Sequence, residues 1–370
     1  NFLPPYRLPL MHELLNRCTS LQVLVSTPME SERHWPAQWP GLPVEVQKSL
    51  HWPKTWRHRH RFQQSVTVHF PYDTVARLNS FRPNVVISAE FGARTAQAAL
   101  YRLFFLKSRL IIWATVSEIT EADRGRFRRQ LRRLLLARAD AVIVNGNSGA
   151  RYIRAFGVAS EKVFRVPQTT SIQPFLDLPI PTVAPPVRRL LYSGRLVEFK
   201  GVVPFLLQLR EWATKRPSQE IEVTFAGDGP VRTEIRAMAL PTNLRLRFLG
   251  NLPYADLPEV YGSVDVLIFP TLADEWGLVV VEAMAAGLPV LGSLYSQAVE
   301  DLVIDNETGW TFRTDHPKEM SGALDRMLST SPAALLDMKR RARESVRHLT
   351  PARMAQDMEA ALTYVRTHGT

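Results

Sequence analysis

The 370-residue chain has a single cysteine, Cys18, which excludes an intramolecular disulfide and fits a reducing compartment such as the cytoplasm. It has no run of about 18 apolar residues, and the stretch from Leu134 to Val144 is broken by Arg138 and Asp140, so no membrane-spanning helix is expected. It has no metal-ligand set: His51, His58 and His60 in "HWPKTWRHRHRF" stand without cysteine or carboxylate partners, and the segment reads as a basic loop. Internal repeats and low-complexity tracts are missing too. The chain opens at Asn1 without an initiator methionine, which reads as a start inside a longer sequence with part of a first strand ahead of it; the opening also lacks a signal peptide's apolar core and cleavage site. Acids are the scarcer charge, 35 Asp plus Glu against 46 Lys plus Arg, and the net +11 favours anionic partners: nucleic acid, phosphorylated small molecules or anionic lipid. No RRM or zinc finger accompanies that charge, so no nucleic-acid partner is expected.

With 45% hydrophobic and 22% charged residues, the chain is expected to fold, and its length suits two domains. Short β-branched runs alternate with helix-patterned segments: "LQVLVS", "VTVHF", "NVVISA", "LIIWA" and "AVIVN" in the first half, "RLLYSG", "IEVTFAG", "LRLRFLG", "VDVLIFP" and "PVLGS" in the second. This is the pattern of two α/β units with largely parallel sheets. Pro174, Pro179, Pro181, Pro185 and Pro186 crowd the segment between them, where neither helix nor central strand persists. The expected division is a first domain over 1–175, a linker over 176–188, a second domain over 189–348 and a terminal helix over 349–370.

In the second half, "LLYSGRLVEFKG" ends a strand at Gly194, with Arg195 and Lys200 following before a helix. Ligands of open α/β sheets sit outside the carboxyl ends of the strands, so these cations are placed to hold a diphosphate. Gly227, Asp228 and Gly229 end the next strand, and Gly250 marks a third. In "DEWGLVVVEAMAAGLPVLGS", Gly277, Leu278 and Val279 are expected to form the first turn of a helix, whose N–H groups attract phosphate or sugar oxygens. Asp274 precedes that turn and Glu282 lies about one turn inside, where carboxylates can accept hydrogen bonds from vicinal hydroxyls. The competing reading is an N-terminal helix acid plus a surface glutamate.

These segments, followed by "DLVIDNETGWTF", resemble the nucleotide-sugar-binding half of retaining glycosyltransferases of family four. The resemblance implies a GT-B fold: two Rossmann-like α/β domains facing across a cleft, with a C-terminal helix crossing back to the first. It implies that Arg195 and Lys200 neutralise the donor diphosphate and that Glu282 holds the donor ribose. Asp274 stands where the family's E-x7-E motif has its first Glu, at the transferred sugar, one methylene shorter. Gly277 to Val279 match the family's backbone contacts to sugar and phosphate.

The first half resembles the family more loosely. Pro4-Pro5-Tyr6-Arg7 replaces the family's Gly-Gly loop, and Arg7 is expected to face the cleft. Glu90 and Gly92 lie between a strand and a helix, suited either to a ligand contact or to a capping turn. After the next strand, Trp113, Thr115, Ser117 and Glu118 stand where many relatives place a histidine. Asn145 ends a strand, and Asn147 or Ser148 is expected to cap the helix that follows. In the basic helix over 124–138, Phe127, Leu131, Leu134 and Leu135 are expected to pack on the sheet with the arginines solvated, contact with an anionic membrane being the alternative.

The function implied is transfer of a sugar from a nucleotide-diphosphate-sugar to a saccharide or lipid-linked acceptor in polysaccharide, lipopolysaccharide or glycolipid biosynthesis. No cofactor is expected, and the lack of any D-x-D argues against a metal-bridged donor. A GT-B epimerase or phosphorylase is the enzymatic alternative. A basic nucleic-acid- or membrane-surface-binding protein is the alternative of another class.

Overall fold

The computed structural model describes residues 1–30, 37–57, 63–122, 124–183 and 185–368, and His58 and His60 lie outside them. The chain divides into two units, Asn1–Ser171 with Thr350–Thr370, and Ile172–Leu349.

The first unit contains β1 (Val23–Val25) and β2 (Val44–Val46), paired in parallel, and an antiparallel hairpin of β3 (Ser49–Arg57) and β4 (Gln63–Pro71). Its main sheet is parallel, in the order β5 (Val85–Ala89), β6 (Arg109–Ala114), β7 (Ala141–Val144), β8 (Val163–Arg165). β6 and β7 are buried along almost their whole length, which is why they read as unbroken apolar runs. The hairpin corrects the basic-loop reading of His51 and its neighbours: cross-strand pairs such as His51 with His69 and Trp52 with Val68 hold that segment extended. The helix Pro351–Thr367 belongs to this unit although it ends the chain. Its Met354, Ala355, Met358, Ala361 and Val365 share a core with Leu10, Leu14, Ile111 and Ile143.

A second expectation holds only for Leu131 and Leu135 at the helix Arg126–Leu136. Its buried residues are Arg132, Leu135 and Leu136, while Phe127 is 84% and Leu134 65% exposed. Leu131 and Leu135 pack on the core together with Leu136, while Phe127 and Leu134 face away from it. Arg132 can be buried because it pairs with Glu121 at 2.5 Å and bonds Tyr152.

The second unit is one six-stranded parallel sheet, ordered β11 (Leu244–Gly250), β10 (Ile221–Ala226), β9 (Arg189–Ser193), β12 (Val266–Phe269), β13 (Val290–Ser293), β14 (Gly309–Phe312). Numbered within the unit, that order is 3-2-1-4-5-6, so the direction of winding reverses between β9 and β12. A crevice at the carboxyl ends of the strands follows from such a reversal. Helices cover both faces: Phe205, Leu206 and Leu209 pack on one, Val280, Val281 and Met284 on the other.

Candidate active site

The switch point of the second unit gathers the residues singled out on that half of the chain. β9 ends in Gly194, whose N–H donates to the Ala226 carbonyl at 2.9 Å, and Leu196 N–H donates to the Asp228 carbonyl at 2.9 Å. A Cβ on Gly227 would overlap the Gly194 carbonyl oxygen, and one on Gly229 would overlap that of Leu196. With φ of +140° and +159°, both glycines are required by backbone approaching backbone. Gly227 N–H in turn donates to the Gly250 carbonyl at 2.7 Å, which ties the third strand end to the other two. The Asp228 carboxylate accepts from Gly229 N–H and from the Arg232 guanidinium.

Past Arg195, the chain turns through Gly201 (φ +66°), where a Cβ would overlap the Pro270 carbonyl oxygen at the end of β12. That contact fixes the Lys200 loop against the other side of the switch point. Lys200 there forms an ion pair with Asp274 Oδ2, its ammonium 5.3 Å from the ring centres of both Phe199 and Phe269. The other Asp274 oxygen accepts from Trp276 N–H at 3.0 Å. Gly277 (φ +106°) then starts the helix Leu278–Ala285, which has no side-chain cap. Leu278 and Val279 form its first turn, so the positive helix end lies beside the pair.

Glu282 is not the surface residue of the competing reading. It is 5% exposed, and burial pushes its carboxyl up to about 7, opposed in part by hydrogen bonds from Tyr261 and Tyr254. Tyr261 Oη donates to its Oε2 at 3.3 Å. Neither tyrosine carried a motif; Tyr254 follows β11 and Tyr261 sits in a six-residue helix.

The first-unit residues collect at the carboxyl ends of β5, β6 and β7. Glu90 (φ +64°) accepts from Thr115 N–H at 3.0 Å and from the Thr115 hydroxyl, tying together the ends of adjacent strands. Gly92 is the N-cap residue of the helix Ala93–Phe104. Arg7 lies over the Trp113 ring at 4.6 Å and lines a cavity of about 800 Å³ bounded also by Val23, Val25, Val85 and Ile87. Glu118 accepts from Arg151 at 2.8 Å and from the Ser148 hydroxyl at 3.3 Å, and Asn145 is fully buried. Neither Asn147 nor Ser148 is a cap. The helix starts at Asn147 with Gly146 as N-cap residue, which places Ser148 inside the first turn and frees its hydroxyl for Glu118.

Two family models match side by side, "Glycosyl transferase 4-like domain" over residues 5–169 and "Glycosyl transferases group 1" over 183–345. The chain belongs to the GT-B glycosyltransferases of this type. Among relatives, the D-inositol 3-phosphate glycosyltransferase of Corynebacterium diphtheriae is 31% identical over 147 residues, which is 38% of this chain and 34% of that protein. The matched segment thus spans about a third of the relative's length. Among solved structures, sucrose-phosphate synthase from Thermosynechococcus elongatus superposes with a TM-score of 0.67 at 17% identity, covering 97% of this chain and 92% of its own. Anabaena HepE in complex with UDP-glucose gives 0.63 at 15% identity, covering 87% and 86%. The two structures establish the GT-B fold of the chain. Among the described residues no His, Cys, Asp and Glu cluster suits a metal ion, and no helix is long and apolar enough to cross a membrane.

Proposed function

We propose that the protein transfers a sugar from a nucleotide-diphosphate-sugar to an acceptor hydroxyl with retention at the anomeric carbon and without a divalent metal, in polysaccharide, lipopolysaccharide or glycolipid biosynthesis on the cytoplasmic side of a membrane. The Lys200–Asp274 pair carries this reading, because it stands beside an uncapped helix N-terminus at the sheet's switch point, with Glu282 buried behind it. The glycosyltransferase named for D-inositol 3-phosphate and the UDP-glucose bound in HepE support the substrate class.

In this reading the second unit binds the donor and the first unit the acceptor. Arg195, Lys200 and the N–H groups at Gly277, Leu278 and Val279 take up the diphosphate, with Gly194, Gly227, Gly229 and Gly250 letting backbone come close to it. Glu282 accepts hydrogen bonds from the ribose, and Asp274 from hydroxyls of the transferred sugar once a phosphate competes for Lys200. The bond from the anomeric carbon to the diphosphate breaks, a bond to the acceptor oxygen forms on the same face, and the acceptor proton passes to the departing diphosphate. No protein nucleophile is required; what the site supplies is stabilisation of charge growing on the leaving group. Arg7, Glu90, Gly92, Glu118 and Asn145 are the acceptor-side candidates.

The test is a nucleotide-sugar panel screened by thermal shift, followed by turnover with the stabilising donor and NMR of the product's anomeric configuration. Stabilisation by a nucleotide-sugar, with most turnover lost in Lys200→Ala and Glu282→Ala, is expected. Near-normal turnover in both variants, or an inverted product, overturns the reading.

A further inference from the structure

The helix Arg126–Leu136 and the helix it packs beside both carry exposed apolar residues. Phe127 and Leu134, seven residues apart, are exposed, and Leu131 between them packs partly on the core. The neighbouring helix, Ala93–Phe104, turns Leu100, Leu103 and Phe104 outward. The chain leaving that helix adds Phe105 and Leu106, and Phe104 and Leu106 are 74% and 71% exposed. Exposed apolar side chains in such number on two adjoining helices mark an interaction surface.

The charge carried by the two helices themselves has one sign. Between Glu90 and Glu118 the sequence holds no acid, and from Arg124 to Ala139 it holds none either. Lys107, Arg126, Arg128, Arg129, Arg133 and Arg138 are all exposed, and none has an ion pair among the described residues. Arg102 and Arg109, by contrast, share the buried Asp140 at 2.5 and 4.0 Å, so they belong to the fold.

We infer that this two-helix face docks on an anionic lipid bilayer. Phenylalanine and leucine enter the boundary between headgroups and acyl chains, while the six cations stay at the headgroup phosphates. A nucleic-acid strand would engage the cations and could stack on phenylalanine, yet it offers nothing to Leu100, Leu103, Leu106 and Leu134. An apolar protein partner would leave the cations unmatched. The inference rests on this surface and not on the transferase reading.

Co-sedimentation of the full chain with vesicles tests it, using phosphatidylcholine alone and a 3:1 mixture with phosphatidylglycerol. Binding to the mixed vesicles is expected, at least tenfold tighter than to neutral ones and weakened by 0.5 M salt, since each cation at an anionic surface is worth roughly fivefold in affinity. Phe127→Ser with Leu134→Ser, and separately Arg128→Gln with Arg133→Gln, should each lower the partition coefficient about tenfold or more while the melting temperature and nucleotide affinity hold. Equal binding to neutral vesicles, no binding to either, or tighter binding to an RNA oligonucleotide than to the mixed vesicles overturns the inference. Nucleotide binding, measured on the same preparations, stays intact if only the docking idea fails.

Discussion

Lys200 and Asp274 close on each other across the switch point, a cation from the loop after β9 held by a carboxylate from the loop after β12. Each is the other's nearest charge before any ligand arrives, so a diphosphate must compete with an internal anion. Asp274→Asn is expected to tighten binding of a nucleoside diphosphate roughly fivefold, the equivalent of about 1 kcal/mol of relieved competition. The same variant should slow sugar transfer. Calorimetric titration with the diphosphate and turnover with the full donor separate the two effects; weaker diphosphate binding would count against the arrangement.

Removing the cation alone is the harsher change. Lys200→Met leaves Asp274 largely buried without its partner, and an unfolding cost of about 1–3 kcal/mol is expected. The double variant Lys200→Met with Asp274→Asn should recover most of it. Urea denaturation of the three variants and the parent completes the cycle.

Glu282 gives stability a pH dependence. Its carboxyl titrates near 7 in the folded chain against a reference of 4.5. The folded state therefore binds more protons between those values, and stability falls as pH rises from about 4.5 to 7. Glu282→Gln removes the burden of a buried charge: its melting temperature is expected to match the parent's near pH 5 and to exceed it at pH 8. A constant difference across that range would sink the assignment. If the carboxylate accepts ribose hydroxyls, parent affinity for the nucleotide also rises through pH 7, and the variant's does not.

The glycine contacts rank by geometry. Gly201→Ala and Gly229→Ala force a Cβ into a carbonyl oxygen at positive φ, and a loss of about 3 kcal/mol or more is expected for each. Gly250→Ala meets nothing within 4 Å and carries only the cost of its φ of +72°, about 1–2 kcal/mol. Chemical denaturation of the second unit's signal should keep that order.

These contrasts also say what a sequence can reveal. Gly227 and Gly229 were legible because backbone close to backbone at positive φ leaves few residue choices, and Gly277 because its positive φ is hemmed in by the Phe269 and Ser296 side chains. The alternation of strands and helices announced two α/β units, since strands buried on both faces cannot disguise their apolar runs. β4 was legible as "VTVHF", but its hairpin partner β3 was hidden because basic and aromatic residues crowd an exposed ribbon, where periodicity competes with a loop-like composition. Phe127 and Leu134 of the helix Arg126–Leu136 were misread for a related reason: with apolar residues on more than one side, spacing alone does not say which of them meet the sheet. Tyr261 was out of reach because it meets Glu282 through the fold, from a segment with no pattern of its own.

Truncation after Leu349 is expected to unfold the first unit and spare the second. It strips Met354, Ala355, Met358, Ala361 and Val365 from a core that includes Leu10 and Ile143. Hydrogen exchange read by mass spectrometry should show deprotection of β6 and β7 and no change in β9 or β12; protection throughout would mean the helix is dispensable.

The same helix sets an order of events during synthesis. The second unit is one continuous stretch of chain, complete as soon as Leu349 has cleared the ribosome, whereas the first unit stays open at the face where Leu10 and Ile143 await their last partners. Domains commonly fold in the order in which they are made. Here the half that is translated first is the half that finishes last, and its unfinished core must stay soluble while the entire second unit is made.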